Sequence, residues 1–146
     1  MEVIRASETW QRAAVYFLRI QAFVKEQNIP IQMEFDEGDG EQAKYILLLD
    51  HQEPAATARL HIVDEKTAKI ERVCVASQYR KKGVGRQLIE AAEAWAAESG
   101  AEKIIITSQK QAVGFYEAIG YTADYSVSFQ SSIPIVYTEK TIERRL

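Results

Sequence analysis

"AKIERVCVASQYRKKGVGRQLIEAAEAWAAESGAEKIIIT" runs from Ala68 to Thr107, and its changes of pattern decide the fold. The opening "AKIERVCVAS" alternates as a strand does. From Gly83 the apolar residues Val84, Leu88, Ala91, Ala92, Trp95 and Ala96 fall at helical spacing. They stop near Ser99-Gly100, a good C-terminal signal. "AEKIIIT" is rich in β-branched residues, as expected of a strand buried on both faces. Strand, helix and strand at this spacing make a parallel βαβ unit with a right-handed crossover.

Upstream, Trp10, Ala13, Ala14, Phe17, Ile20 and Val24 predict an amphipathic helix over about residues 8–26, capped by Ser7 or Thr9 and ended before Pro30. "IQMEFDEGDGEQ" reads as an exposed acidic loop. "AKYILLLD" and "AATARLHIVD" precede the βαβ unit as strands of a meander, with turns at "HQEP" and "DEKT". Downstream, "QAVGFYEAI" is a short helix closed by Gly120. "YTADYSVSF" and "IPIVYTEKTI" form a last strand pair around "QSS". The predicted order is α-βββ-α-β-α-ββ, an α/β mixed sheet flanked by helices, in one domain over residues 1–146.

Length and composition suit one core: 146 residues, 47% hydrophobic and 27% charged. A net charge of −3 argues against general nucleic-acid affinity. The first residues hold no long apolar run, so neither a signal peptide nor a membrane span is expected. With Cys74 as the lone cysteine no internal disulfide can form, and a cytoplasmic setting follows. One Cys with His51 and His61 supplies no standard zinc site, so no metal is expected.

Against that acidic background, Arg80, Lys81, Lys82 and Arg86 crowd around Gly83 and Gly85 where the helix begins. A helix start leaves N–H groups unpaired and carries partial positive charge, so it attracts phosphate. Glycine lets the backbone approach an anion closely, and flanking cations add charge-assisted contacts. The spacing is neither GxxxxGK[ST] nor GxGxxG, which indicates a diphosphate ligand of another kind. The plainer readings are a turn with solvated cations, or a nucleic-acid patch lacking interleaved aromatics apart from Tyr79.

"VCVASQYRKKGVGRQLI" (73–89) followed by "SQKQAVGFYEAIGY" (108–121) resembles the acetyl-CoA-binding core of the GNAT superfamily of N-acyltransferases. Arg80, Gly83 and Gly85 fill its [QR]-x-x-G-x-[GA] signature. Ala112, Phe115, Tyr116, Gly120 and Tyr121 fill A-x-x-F-Y-x-x-x-G-[FY]. "FVKEQNIP" (23–30) and the later "IP" look like the bacterial ElaA-like subgroup, although Ile135 stands where that pattern usually has histidine. The resemblance implies that Arg80 and the N–H groups of Lys81, Lys82, Gly83, Val84, Gly85 and Arg86 hold the coenzyme A pyrophosphate. It implies that backbone at Val73 and Val75 pairs with the pantetheine arm like a guest strand. Gln109 matches a cofactor-contacting Asn, and Tyr116 matches the tyrosine that donates to the coenzyme A sulfur.

Acyl transfer from a thioester needs a neutral amine, a stabilised oxyanion and a protonated leaving thiolate. Glu71 is a candidate base two residues before Val73, on the strand face shared with Val73 and Val75, while Arg72 and Cys74 take the other face. An ion-paired strand Glu is its plainer reading. Glu26 is a second candidate base. Cys74 invites an acyl-cysteine route, but a cysteine inside "VCV" reads as buried filler. His51 reads as solvated and His61 as structural.

The function expected is acetyl-CoA-dependent N-acetyl transfer by direct attack, with a small amine or protein amino group as acceptor. The five carboxylates of "MEFDEGDGEQ" could steer a cationic amine. Two other readings are acyl-homoserine-lactone synthesis, for which the chain is short, and a coenzyme A sensor without turnover. The final strands could pair edge to edge in a homodimer.

Overall fold

The computed structural model describes residues 1–131 and 133–143. Its strands are β1 (Glu2–Arg5), β2 (Lys44–Asp50), β3 (Glu53–Ile62), β4 (Thr67–Val75), β5 (Lys103–Gln109), β6 (Thr122–Asp124) and β7 (Ile135–Thr141). Its helices are α1 (Thr9–Arg19), continued by a π-helical stretch Ile20–Glu26, then α2 (Ile31–Glu34), α3 (Val84–Glu98) and α4 (Val113–Ala118). The sheet has seven strands in the order β1-β2-β3-β4-β5-β7-β6. β4 and β5 are parallel, whereas β1–β2, β2–β3, β5–β7 and β6–β7 are antiparallel. The expected α/β class and mixed sheet are present. β1 adds a strand ahead of the predicted order; at four mostly exposed residues it carries too little pattern to announce itself.

The described residues form two compact units, Met1–His61 with Arg72–Ala92, and Ile62–Glu71 with Glu93–Leu146. In the first, Tyr45 to Leu49 are buried without a break, so β2 packs on both faces. His51 and Gln52 are left-handed (φ 47° and 70°), the two-residue turn that suits the twist of a hairpin. Val15, Leu18, Ala22, Phe23, Tyr45, Leu47, Leu49 and Cys74 share one core cluster. In the second unit, Ile104, Ile106 and Ser108 of β5 are buried while the alternate residues are only half covered. The expected burial of β5 on both faces therefore gives way to alternation.

Three expectations need correction. The first helix forms, but Trp10 and Phe17 are 52% exposed, and the buried face is Gln11, Val15, Leu18, Arg19, Ala22 and Phe23. The stripe is rotated by about one residue because Gln11 and Arg19 enter the core with their polar groups satisfied, which apolar periodicity does not register. The cap is neither Ser7 nor Thr9. Glu8 is the N-cap, and Gln11 Oε1 accepts from the N–H groups of Ser7 and Glu8 at 2.8 and 2.9 Å.

"YTADYSVSF" yields only the three-residue β6. Asp124 Oδ1 accepts from Ser126 N–H (3.0 Å) and Oγ–H (2.6 Å), an Asx-type turn that ends the strand. In the turn expected at "QSS", Ser132 lies outside the described residues. β7 has neighbours on both sides, so short β6 forms that edge of the sheet.

Candidate active site

In the basic turn, Tyr79 N–H bonds Ala76 O at 2.9 Å, and Tyr79 hydroxyl donates to Asp50 Oδ2 at 3.0 Å. The turn is thus anchored just before its cations. Lys81 and Gly83 then adopt left-handed conformations, φ 62° and 80°. The first helical bond here is Gln87 N–H to Gly83 O at 3.2 Å. The N–H groups of Val84, Gly85 and Arg86 therefore lie ahead of any intrahelical acceptor and point out of the start of the 15-residue α3. A Cβ built on Gly83 would meet nothing within 4 Å, so that side of the turn is open. Together these features make a candidate anion cradle.

The four cations do not stand alike. Arg80 donates through Nη1 and Nη2 to both Glu26 oxygens (2.9 and 2.8 Å) and through Nε to Val75 O at 2.9 Å. Arg86 pairs with Glu90 at 3.0 Å on the exposed helix surface. Lys81 and Lys82 are exposed. Glu26, the second candidate base, thus has both oxygens on Arg80. The Val75 carbonyl, expected to be free for a ligand arm, accepts from Arg80. Val73 and Val75 are half-buried in β4, whose described pairing with β5 runs from Thr67–Lys103 to Lys69–Ile105. Arg72, at φ 52°, breaks the extended backbone just ahead of Val73.

Tyr116 lies in the second unit, on α4. It is 5% exposed and makes edge contacts with Phe115 and Tyr121, ring centroids 5.1 and 5.9 Å away. Among the described residues its hydroxyl has no protein partner. Burial pushes its pKa well above the ordinary tyrosine value. A proton is therefore held on this oxygen at neutral pH, as a donor requires.

Glu71, on β4, is 22% exposed and lies 3.9 Å from Lys69 Nζ, its i−2 neighbour on the same strand face. Gln109 ends β5, half-buried, and its Oε1 accepts from Gln111 Nε2. His61 is exposed and His51 is 98% exposed at the hairpin turn. Among the described residues no cluster of three His, Cys, Asp or Glu is placed to hold a metal ion, and no helix is long and apolar enough to cross a membrane.

Burial pushes the Cys74 thiol up to about 12, and the side chain packs in the core cluster with Leu18 and Leu47. A thiolate nucleophile there is disfavoured twice, by charge and by access. Native protein is expected to resist iodoacetamide and to react only once unfolded, while Cys74→Ala keeps its turnover. Mass spectrometry and an activity assay check the pair.

The acidic segment is not the open loop expected. Arg19, wholly buried, donates Nε to Glu34 Oε2 (2.9 Å) and Nη2 to Glu34 O (2.9 Å), and its Nη1 and Nη2 grip Asp39 at 2.5 and 3.0 Å. Arg59 pairs with Asp36 at 2.8 Å and Asp39 at 3.0 Å; Arg72 pairs with Glu34 at 3.3 Å and Asp36 at 3.2 Å. Tyr45 hydroxyl donates to Asp39 at 2.6 Å. Three of the five carboxylates thus meet three arginines, which removes most of the charge proposed to steer a cationic acceptor. This network joins α1, residues 34–39, β3 and β4 within the first unit.

Burial pushes the Asp39 carboxyl up, but the Arg19 and Tyr45 hydrogen bonds outweigh it and hold the group well below the usual carboxylate range. Asp39 therefore contributes stability that is present above its unfolded pKa of about 3.9 and lost as pH falls through the lower folded value. Glu34 works oppositely: burial holds it above the usual range despite Arg19, so its contribution is lost as pH rises through the folded value. Urea midpoints of the wild type are expected to drop steeply between about pH 4 and pH 2, and less steeply in Asp39→Asn.

A family model described as acetyltransferase (GNAT) matches residues 8–121. A Bacillus subtilis protein, YjcF, described as an uncharacterized N-acetyltransferase, is 36% identical over 121 residues, covering 83% of this chain and 85% of its own. A Lactobacillus plantarum protein provisionally assigned as an N-acetyltransferase has a crystal structure that matches with TM-score 0.89 and 34% identity. That match covers 96% of this chain and 97% of the other. Escherichia coli ElaA matches in fold with TM-score 0.80 at 24% identity, covering 95% of this chain and 97% of its own.

Proposed function

The chain belongs to the acetyltransferase (GNAT) family, and from that premise we propose that it carries an acetyl group from acetyl-coenzyme A directly to an amine, working as one domain in the cytoplasm. The observation that carries this reading is the turn at Lys81–Arg86: two left-handed residues, an open side at Gly83 and unpaired N–H groups at the head of α3. That arrangement suits the pyrophosphate of an acyl carrier better than a base-reading surface, because backbone donors recognise oxyanions irrespective of sequence. Lys81 and Lys82, without ion-pair partners among the described residues, are assigned to the phosphates, and Arg80 to holding the turn.

For the pantetheine arm, the described β4–β5 ladder ends at Lys69, which leaves the peptides around Val73 and Val75 uncommitted to it. Arg80 already occupies the Val75 carbonyl, so the other peptide groups of this stretch are assigned to the arm. Gln109 is assigned a carrier contact through its amide. Tyr116 is assigned as the proton donor to the departing sulfur. Coenzyme A would leave there as a thiolate, which the hydroxyl, kept protonated by burial, stabilises by hydrogen bonding, and the proton that completes the thiol is the one the attacking nitrogen releases as the amide forms. Glu71 is assigned as the base for the acceptor ammonium, whose pKa of about 10.4 leaves it charged at neutral pH. Cys74 takes no part, so transfer proceeds in a ternary complex.

Calorimetric titration with acetyl-coenzyme A, followed by free-thiol release across a panel of small amines and lysine peptides, tests the reading. Binding with amine-dependent thiol release is expected. Binding without release would favour the sensor, and a silent titration would remove the acyl carrier altogether.

A further inference from the structure

We propose that Glu93 is a positioning residue for Tyr116, acting through Tyr121 and Lys140; the inference rests on Tyr116 being the proton donor. Glu93 reaches from α3, 14% exposed, and accepts from Tyr121 hydroxyl at 2.6 Å and from Lys140 Nζ at 3.2 Å on each oxygen. Lys140, on β7, also donates Nζ to Ile119 O at 3.0 Å, one of the carbonyls left open where α4 ends. Its stem lies against Gly120, with Cε 3.1 Å from where a Cβ would stand, and Nζ sits 5.5 Å from the Tyr121 ring centre. One carboxylate therefore holds both the end of α4 and the ring that follows it.

Both held groups bear on Tyr116. Its carbonyl accepts from Ile119 N–H (3.1 Å) and Tyr121 N–H (3.0 Å), so the turn secured by Lys140 is the turn that carries Tyr116. Its ring meets the Tyr121 ring edge-on at 71°. Among the described residues the Tyr116 hydroxyl has no protein partner to aim it, so aim comes from the backbone turn and from the neighbouring ring. Glu93 fixes both from outside the reacting atoms. Tyr121 is 3% exposed, and burial together with the bond to Glu93 pushes its pKa upward, so it stays a neutral donor to that carboxylate.

Steady-state kinetics on wild type, Glu93→Leu, Glu93→Gln, Tyr116→Phe and the Glu93→Leu/Tyr116→Phe double variant tests the proposal. Glu93→Leu is expected to lower kcat by about tenfold to a hundredfold, with KM for acetyl-coenzyme A within about twofold of wild type. Glu93→Gln is expected to keep most of the activity, since its amide oxygen still accepts from Tyr121. In the Tyr116→Phe background the Glu93→Leu change should alter kcat by less than about twofold, because the group it positions is gone. Wild-type kcat in Glu93→Leu, or an equal loss in both backgrounds, would overturn the proposal. Failure of the underlying assignment looks different: Tyr116→Phe itself would turn over like wild type. If Glu93→Leu does not fold, Lys140→Met, which keeps an apolar stem over Gly120, enters the same cycle with the same criteria.

Discussion

Tyr116→Phe is expected to lower kcat by about a hundredfold or more, while affinity for acetyl-coenzyme A stays near the wild-type value. The change deletes one oxygen from a side chain whose rings already fit together, and the surrounding aromatic contacts survive it. Removing a hydroxyl is costly to a fold when it strands a buried partner. Here the described residues offer that hydroxyl no partner, so thermal stability should hardly move. A large loss of rate beside an unchanged melting point and unchanged binding isolates the proton donated to sulfur. Stopped single-turnover measurements with saturating amine would show whether the loss sits in the chemical step. An unaltered rate there would leave Tyr116 an ordinary aromatic of the second unit.

Gly83→Glu is expected to weaken acetyl-coenzyme A binding by on the order of a hundredfold, about 2.7 kcal/mol, as read by calorimetry. Two causes add. A side chain at φ 80° costs on the order of 1–2 kcal/mol of backbone strain, which draws the unliganded turn out of the conformation that would bind and so lowers affinity. The carboxylate also brings like charge to the place where a diphosphate would lie. Space within the protein is no obstacle, because a Cβ on Gly83 meets nothing within 4 Å. The variant should therefore fold, and Gly83→Ala separates the two causes by retaining strain without charge. If Gly83→Glu bound the carrier as tightly as wild type, the turn would not be its seat.

The βαβ unit is legible in the sequence, because strand and helix periods differ and a glycine marks each change. The candidate anion cradle is proposed from equally local signals: open N–H groups are a property of every helix start, and the glycines and cations stand beside this one. Lys81 was not legible as left-handed, since a lysine carries no local preference for that region. Nor was the buried face of α1. Arg19 enters the core because Glu34 and Asp39, 15 and 20 residues away, arrive to neutralise it. A polar residue scored alone counts against burial; its partners reverse the sign.

From sequence alone came the class of fold, the family, the place of the turn and the proposal of Tyr116 as donor, all of which depend on local period, glycine placement and short motifs. Tertiary structure alone decided which charges are spent internally: Arg80 on Glu26 and Val75, the acidic segment on three arginines, Glu93 on Tyr121 and Lys140. Pairing of this kind depends on distance in space, and a chain that folds back on itself sets those distances without leaving a period to read.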